Sequence, residues 1–276
     1  MLVLNVGGVV DLTPVKEVSN ILVLSQLGVE TGSVLADILL GRANPSGKLT
    51  TTWASWEDYC REGEFGDIND TRYKEGIYVG YRYFDTVGKK PLFPFGYGLS
   101  YTSFDIAVTG AAAEGDTIRI KAAVSNTGAR AGREVVQVYV RDPKSTLQKP
   151  EKELKAFTKV ALAPGESKTV TLELMPKDFA SYDTALQKWT IEPGTYEILV
   201  GDSSRTIMAD AKISVTGKNP YGYSLRSSCG FIAANPEAMA ACSEVLGEAF
   251  DVDAFISQAI YFTGTPFGKY LERIQG

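Results

Sequence analysis

Residues 70–75, "DTRYKE", set two carboxylates (Asp70, Glu75), a guanidinium (Arg72), a phenol (Tyr73) and an ammonium (Lys74) within six positions. Carboxylates and arginine hydrogen-bond hydroxyl groups, and a tyrosine ring stacks on a pyranose face. The run therefore reads in two ways. It is a sugar-binding edge made by Asp70, Arg72, Tyr73 and Glu75, or it is a surface ion-pair cluster that orders a loop, the usual place of a charge run. The sequence contains no histidine. That removes Ser-His-Asp and Cys-His machinery, imidazole general bases and His-containing zinc sites. Chemistry has to rest on carboxylates, Tyr, Lys or Arg, and hydrolysis by a pair of carboxylates passes this filter.

Other short patterns fall away. "NVGGVV" (5–10) lacks the G-x-G-x-x-G spacing of a dinucleotide loop. "DINDTR" (67–72) has Asp and Asn at calcium-loop offsets but Arg72 where that loop needs glycine, so it reads as a solvated acidic loop. No cofactor and no metal are expected. The formal net charge of −5 argues against a nucleic-acid partner. No apolar run approaches the roughly 20 residues that span a bilayer. "MLVLNVGGVVDL" lacks a basic leading region and is interrupted by Asp11, so it reads as a buried strand and not a signal peptide. Three scattered cysteines, Cys60, Cys229 and Cys242, make no disulfide framework and point to a reducing, cytoplasmic setting.

The elements that must hold residues 70–75 change character along the chain. "LVLNV" (2–6) and "ILVLS" (21–25) are continuous apolar runs, the pattern of parallel strands covered on both faces. Val34, Leu35, Ile38 and Leu39 fall on one face of a helix that Gly41 caps and Pro45 stops. Two such strands and one helix are too few layers for a doubly wound sheet, so residues 1 to about 100 are expected to be the second half of a larger α/β domain. Residues 56–75 read as a long acidic loop, and "YVGYRYFD" (78–85) as an aromatic-rich extended segment.

"PLFPFGYGLSYTSF" (91–104) combines turn formers with core material: nine of its fourteen residues are Pro, Gly, Phe or Tyr. Pro91 and Pro94 restrict the backbone and Gly96 and Gly98 allow tight bends. Phe93, Phe95, Tyr97, Tyr101 and Phe104 make a ring density that is more often a packed, buried interface than a stacking platform for a sugar. Seven alternating strands follow, at 104–109, 116–125, 134–141, 152–161, 167–175, 194–201 and 206–215, separated by "NTGARAG", "RDPKST", "APGES" and "EPGT". That is an immunoglobulin-like sandwich without an inter-sheet disulfide, so fibronectin type III is the better analogue. Beyond residue 216, "NPEAMAACSEVLGEAF" reads as a helix capped by Asn235 with Pro236 at its first position. "DVDAFISQAIYF" reads as a second helix, "FTGTPFG" as a turn and "KYLERIQG" as a short amphipathic end.

Three blocks, "GVETGSVLADILLGRANPSGKL" (28–49), "YKEGIYVGYRYFD" (73–85) and "PLFPFGYGLSYTSF" (91–104), resemble the C-terminal half of glycoside hydrolase family 3 in order and spacing. The last block is close to a signature of that family. The sandwich resembles the fibronectin type III-like domain of many members, and the resemblance covers residues 1–216. It implies a β-glucosidase or related exo-acting enzyme that retains configuration through a glycosyl-enzyme intermediate. In the family a barrel domain supplies the aspartate nucleophile and the α/β sandwich domain a glutamic acid/base. No segment here resembles the barrel, and the acid/base glutamate would precede the "VLNVGG" strand. No catalytic residue is therefore carried over, Glu75 included, because its block follows the catalytic loop.

The fold class expected is a partial α/β sandwich domain (1–101), then an all-β immunoglobulin/fibronectin type III-like sandwich (102–216), then a short helical C-terminal tail or linker (217–276). The expected partners are a carbohydrate substrate and a barrel domain from the same gene or a second chain. Some members are permuted, which would make the tail a linker towards the barrel. A homo-oligomer is a further expectation, and a third reading is a divergent protein whose tail creates a new partner surface. The alternative activity is none at all: a carbohydrate-binding or structural module derived from that family.

Overall fold

Along Thr117–Asn126 (β4) every second side chain is apolar, and the alternation sorts them physically: Ile118, Ile120, Ala122 and Val124 are buried. Period-2 patterning places them on one face of a sheet. The same rule buries Leu172 and Leu174 in β7 (Ser167–Leu174) and Tyr196, Ile198 and Val200 in β10 (Gly194–Gly201). The computed structural model describes residues 1–59, 69–70, 72–114, 117–184, 188–215, 227–234, 236–247, 250–259, 261 and 263–275. Cys60, most of the acidic loop before Asn69, the Asn235 cap and residues 216–226 lie outside them. The chain divides into two units: residues 1–143, 150–175 and 196–213 form one, and residues 144–149, 176–195 and 214–276 the other.

In the first unit β3 (Phe104–Glu114), β4 and β7 form a three-stranded antiparallel sheet in the order β3-β4-β7. The other sheet has the order β11-β10-β5-β6, with β5 at Gly132–Arg141, β6 at Glu153–Leu162 and β11 at Ile207–Val215. All seven strands expected from the sequence are present. β3 runs on to Glu114, past an irregularity between Val108 and Gly110. Strand β5 is buried on both faces: Val136, Val138 and Val140 alternate with Gln137 and Tyr139, and all five are covered.

The cover over Gln137 and Tyr139 comes from the segment before the sandwich. The Gln137 amide donates to the Gly96 carbonyl at 3.3 Å. The Tyr81 ring meets Tyr139 edge-on at 5.9 Å and stacks on Phe95 at 4.8 Å. The "PLFPFGYG" segment is also pinned from its other side. Trp53 and Phe93 exchange backbone hydrogen bonds at 2.8 and 3.0 Å, Gly96 N–H donates to Leu49 O, and Leu49 N–H to Tyr97 O. After the Phe93 bridge the strip makes a turn at Phe95 and Gly96, closed by Tyr97 N–H donating to Pro94 O at 3.2 Å. Its rings are less covered than expected: Phe93, Phe95, Tyr97 and Phe104 are half-buried, and Tyr101 is exposed, its hydroxyl donating to Ile38 O at 2.9 Å. The backbone bonds, more than the rings, hold the strip.

The opening residues form β1 (Leu2–Leu4) and β2 (Ile21–Val23), paired in parallel with Leu2 opposite Ile21. No residue of either strand is buried. Helix α1 (Thr31–Leu39) ends as expected: Gly41 takes φ 69°, its N–H donates to Ile38 O, and Arg42 N–H reaches back to Asp37 O, the Schellman arrangement. On its apolar face Leu35 and Ile38 are half-buried while Val34 and Leu39 are exposed. A short turn of helix, α2 (Trp56–Tyr59), precedes the acidic loop.

Residues 78–85 are not extended. Tyr81–Thr86 is a helix, α3. Gly80, at φ 54° and ψ −131°, turns the chain into it, a conformation that a side chain would obstruct. Aromatic density suggested a strand, but tertiary contacts to the sandwich decide this segment.

In the second unit, β8 (Ser181–Asp183) and β9 (Lys188–Thr190) make a hairpin that the sequence reading missed. Helices α4 (Cys229–Ala233), α5 (Pro236–Leu246), α6 (Val252–Ala259) and α7 (Phe267–Gln275) gather around Phe250, Phe255, Phe267 and Tyr270. The tail thus has a core of its own. Helix α4, not foreseen, is capped by Ser228, whose hydroxyl accepts from Phe231 N–H at 3.2 Å. Among the described residues no helix is long and apolar enough to cross a membrane.

Candidate functional site

The charged run sits on tight local turns. Lys74 N–H donates to Arg72 O at 2.9 Å, Gly76 N–H to Tyr73 O at 3.4 Å and Tyr78 N–H to Glu75 O at 3.0 Å. Gly76 takes φ 57° to allow this. The structure brings Asp70 and Arg72 together, carboxylate to Nε at 2.7 Å, with both side chains more than half exposed. Tyr73 projects into solvent with 80% of its surface accessible, and Glu75 is half-buried. The run presents a ring face, a guanidinium and the Asp70 carboxylate outward, a set that can bind hydroxyls and stack on a sugar.

This display is carried by α3, which follows through Gly80. Six residues of helix cannot hold themselves in place, because nucleation costs more than one or two hydrogen bonds return. The sandwich holds α3 instead. Asp85 is buried, with 2% of its side chain exposed, between Lys152 Nζ at 2.8 Å and the guanidinium of Arg205. These are ion pairs by proximity; neither carboxylate oxygen has hydrogen-bond geometry. Arg205 also donates to the carbonyls of Phe84 and Lys89 at 2.9 and 2.7 Å, closing off the helix C-terminus. On the other flank Arg82 pairs with Glu153 at 3.1 Å. The Tyr81 hydroxyl accepts Leu154 N–H at 2.8 Å and the Thr86 hydroxyl accepts Glu151 N–H at 2.9 Å. β6 is an edge strand, so amides at its start need such partners. Burial pushes the Tyr81 phenol up, with the Leu154 bond and the Arg82 charge opposing.

The sequence reading did not find Asp85, Lys152, Arg205, Arg82 or Glu153. Their spacing carries no signal, because the partners lie far apart along the chain and meet only when α3 docks. Asp85 is no candidate acid/base, since it is enclosed between two cations.

A second set of ties joins residues 41–48 to the sandwich. The Asn44 amide donates to Ala131 O at 2.9 Å, and its oxygen accepts from Ser100 Oγ and Tyr101 N–H. Lys48 pairs with Glu134 at 2.9 Å, both nearly buried, and Lys159 Nζ donates to Ser46 O. "GRANPSGKL" therefore serves as a docking segment.

Residues 1–101 match the Glycosyl hydrolase family 3 C-terminal domain, and residues 134–204 match the Fibronectin type III-like domain. The chain belongs to glycoside hydrolase family 3 and carries its C-terminal part. The thermostable beta-glucosidase B of Acetivibrio thermocellus is 40% identical over 258 residues, covering 89% of this chain and 34% of that protein. An exo-alpha-(1->6)-L-arabinopyranosidase of Bifidobacterium breve is 40% identical over 229 residues, covering 79% of this chain and 29% of that protein. Among solved structures, the GH3 beta-glucosidase of Bifidobacterium adolescentis superposes with a TM-score of 0.79 at 36% identity, covering 89% of this chain and 36% of that one. Beta-glucosidase 3B of Thermotoga neapolitana in complex with glucose gives 0.71 at 44% identity, covering 77% and 30%. The chain thus spans about a third of the length of these relatives. A coverage of 89% is more than residues 1–216 can supply, so these likenesses extend into the tail.

Proposed function

We propose that this chain is one part of a retaining, exo-acting glycoside hydrolase of the β-glucosidase type. In this reading the barrel with its aspartate nucleophile and the acid/base glutamate belong to segments other than these 276 residues. The single observation that carries this reading is the 40% identity to a beta-glucosidase of which the chain matches 34%. The strands β1 and β2, only half-buried, and the exposed Val34 and Leu39 support it, because apolar surface of this kind is covered in a finished α/β domain. In this reading Asp70, Arg72, Tyr73 and Glu75 form part of the wall of the sugar site, and the barrel domain and a carbohydrate are the partners. Cys229 and Cys242 carry free thiols, which fits a reducing, cytoplasmic setting.

The test is a chromogenic β-glucoside assay on the 276-residue chain alone and on a protein extended to the length of the relatives. Hydrolysis by the extended protein only is the expected result. Turnover by the isolated chain would refute the assignment of both catalytic carboxylates to other segments. An aryl α-L-arabinopyranoside belongs in the same panel, because one matched relative is an arabinopyranosidase. An extended protein inactive on every glycoside would favour a binding module.

A further inference from the structure

We infer that Asp85 is a positioning residue: its burial between Lys152 and Arg205 lets the β-sandwich set the place of the 72–80 segment and so the sugar-facing edge. The inference rests on the reading of that segment as part of the sugar-site wall.

The argument starts from what α3 lacks. It is six residues long and has no side-chain cap at its N-terminus. A helix this short has no stable position of its own. Its position comes from side chains on successive turns that reach one place on the sandwich. Tyr81 and Thr86 bind the amides of Leu154 and Glu151, Arg82 reaches Glu153, and Asp85 is held by Lys152 from β6's leading end and by Arg205 from the β10–β11 turn. Arg205 in turn fixes the helix C-terminus through Phe84 O and Lys89 O. The clamp therefore grips both ends of α3, from β6's leading end and from the β10–β11 turn.

The 72–80 segment inherits this placement. Its bonds at Lys74, Gly76 and Tyr78 shape it locally, and at Gly80 it becomes the first turn of α3, where Tyr83 and Phe84 N–H groups bond back to Gly80 O. A shift of α3 along β6 would carry Tyr73 and Glu75 with it, and small displacements of a binding group are costly to a bound geometry. Asp85 is the member whose loss does most. Removing it leaves Lys152, whose side chain is 9% exposed, without a carboxylate for its ammonium. The placement, and not the chemistry, is what the sandwich contributes to the site.

Hydrogen exchange on the 276-residue chain decides the clamp. Asp85→Asn should speed exchange at amides 72–80 about tenfold while β4 and β5 keep their protection. Tyr81→Phe, which removes one hydroxyl and leaves the ion pairs, should give a smaller change at the same amides, and it decides the matter alone if Asp85→Asn fails to fold. Unchanged exchange at 72–80 in a folded variant overturns the inference. In the extended, active protein Asp85→Asn should raise KM for the β-glucoside roughly tenfold with kcat within about twofold, and Asp85→Glu should recover part of the loss. Val160→Ala, a sandwich-core change toward the opposite end of β6 from Lys152, should lower Tm and leave KM alone. An equal KM rise in Val160→Ala would mean that Asp85 acts through general stability, which also overturns the inference. Tyr73→Ala and Glu75→Gln test the underlying reading separately: if neither alters KM, the wall assignment fails, while the exchange result still decides the clamp.

Discussion

Gly96 and Gln137 are in direct contact: a Cβ built on Gly96 would lie 2.2 Å from the Gln137 side-chain oxygen, and the Gln137 amide donates to the Gly96 carbonyl. The same Gln137 donates to Asp202 O and accepts the Tyr139 hydroxyl at 2.6 Å. One buried amide thus ties the aromatic strip to two strands of the sandwich. Gly96 is fixed by this contact and by its φ of 82°.

Substitution of this glycine is the most direct check. Gly96→Ala should lower stability by about 3 kcal/mol, from a positive φ and a clash with a hydrogen-bonded side chain together. Gly98→Ala meets the Gly47 carbonyl at 2.2 Å, and backbone cannot retreat as a side chain can, so its loss should be at least as large. Urea midpoints measure both, with Gly165→Ala reporting the cost of a positive φ in open space.

Lys48 and Glu134 form a pair at 2.9 Å with only 11% and 9% of their side chains exposed, and Lys48 also donates to Gly98 O. Lys48→Met should cost about 3 kcal/mol, because it strands a buried carboxylate. The double variant Lys48→Met, Glu134→Gln should recover much of that. A coupling near zero in the double-mutant cycle would show that the pair contributes nothing as a pair.

Glu192 is the group through which the 144–149 loop should become acid-sensitive. Burial alone would raise its carboxyl. Donation by the Ser145 and Thr146 hydroxyls and by Thr146 N–H, with Lys149 at 3.7 Å, outweighs this and holds it below the ordinary 4.5. A depressed folded-state pKa gives stabilisation that is complete above the unfolded value and fades as pH falls through the folded one. Protease cleavage at 144–149 should therefore be slow at pH 6 and above and rise below about pH 4. Glu192→Gln should be cut at a rate that hardly changes across that range.

Phe255 is fully buried, with rings of Phe250 and Phe267 at 5.3 Å and Tyr270 at 5.0 Å. Phe255→Ala should cost about 4 kcal/mol. In a helical unit this small that removes most of the margin, so the helical circular dichroism signal should fall. Retention of full helicity with an unchanged melting curve would show that these rings do not carry the tail's core.

The seven strands of the sandwich and the tail helices α5 and α6 were legible because burial there follows local periodicity, whereas the short α4 was not. Ile118, Ile120, Ala122 and Val124 alternate, and so do Tyr196, Ile198 and Val200, and the turn formers between strands mark the ends. Helix α5 was legible from Pro236 and the apolar run after it. The "YRYFD" segment was misread because its aromatics favour a strand in isolation, whereas Gly80 and the bonds from Tyr81, Arg82, Asp85 and Thr86 to residues 151–154 and Arg205 make it a helix. The β8–β9 hairpin has strands of three residues, too short for alternation to register. Of the candidate site, residue types were readable and placement was not. Asp70 and Arg72 pair as neighbours in sequence do, but nothing local to residues 70–75 indicates that their position depends on Lys152 and Arg205.

From the order of residues alone came the family, through three blocks in sequence; the exclusion of imidazole chemistry; and the seven-stranded sandwich, because each depends on residue identity or short-range period. Tertiary structure alone decided that α3 is a helix, that Gln137 faces Gly96, that Asp85 lies between two cations and that the tail encloses its own aromatic core. Those facts rest on contacts between residues distant in the chain, and long-range contacts leave no mark on local spacing.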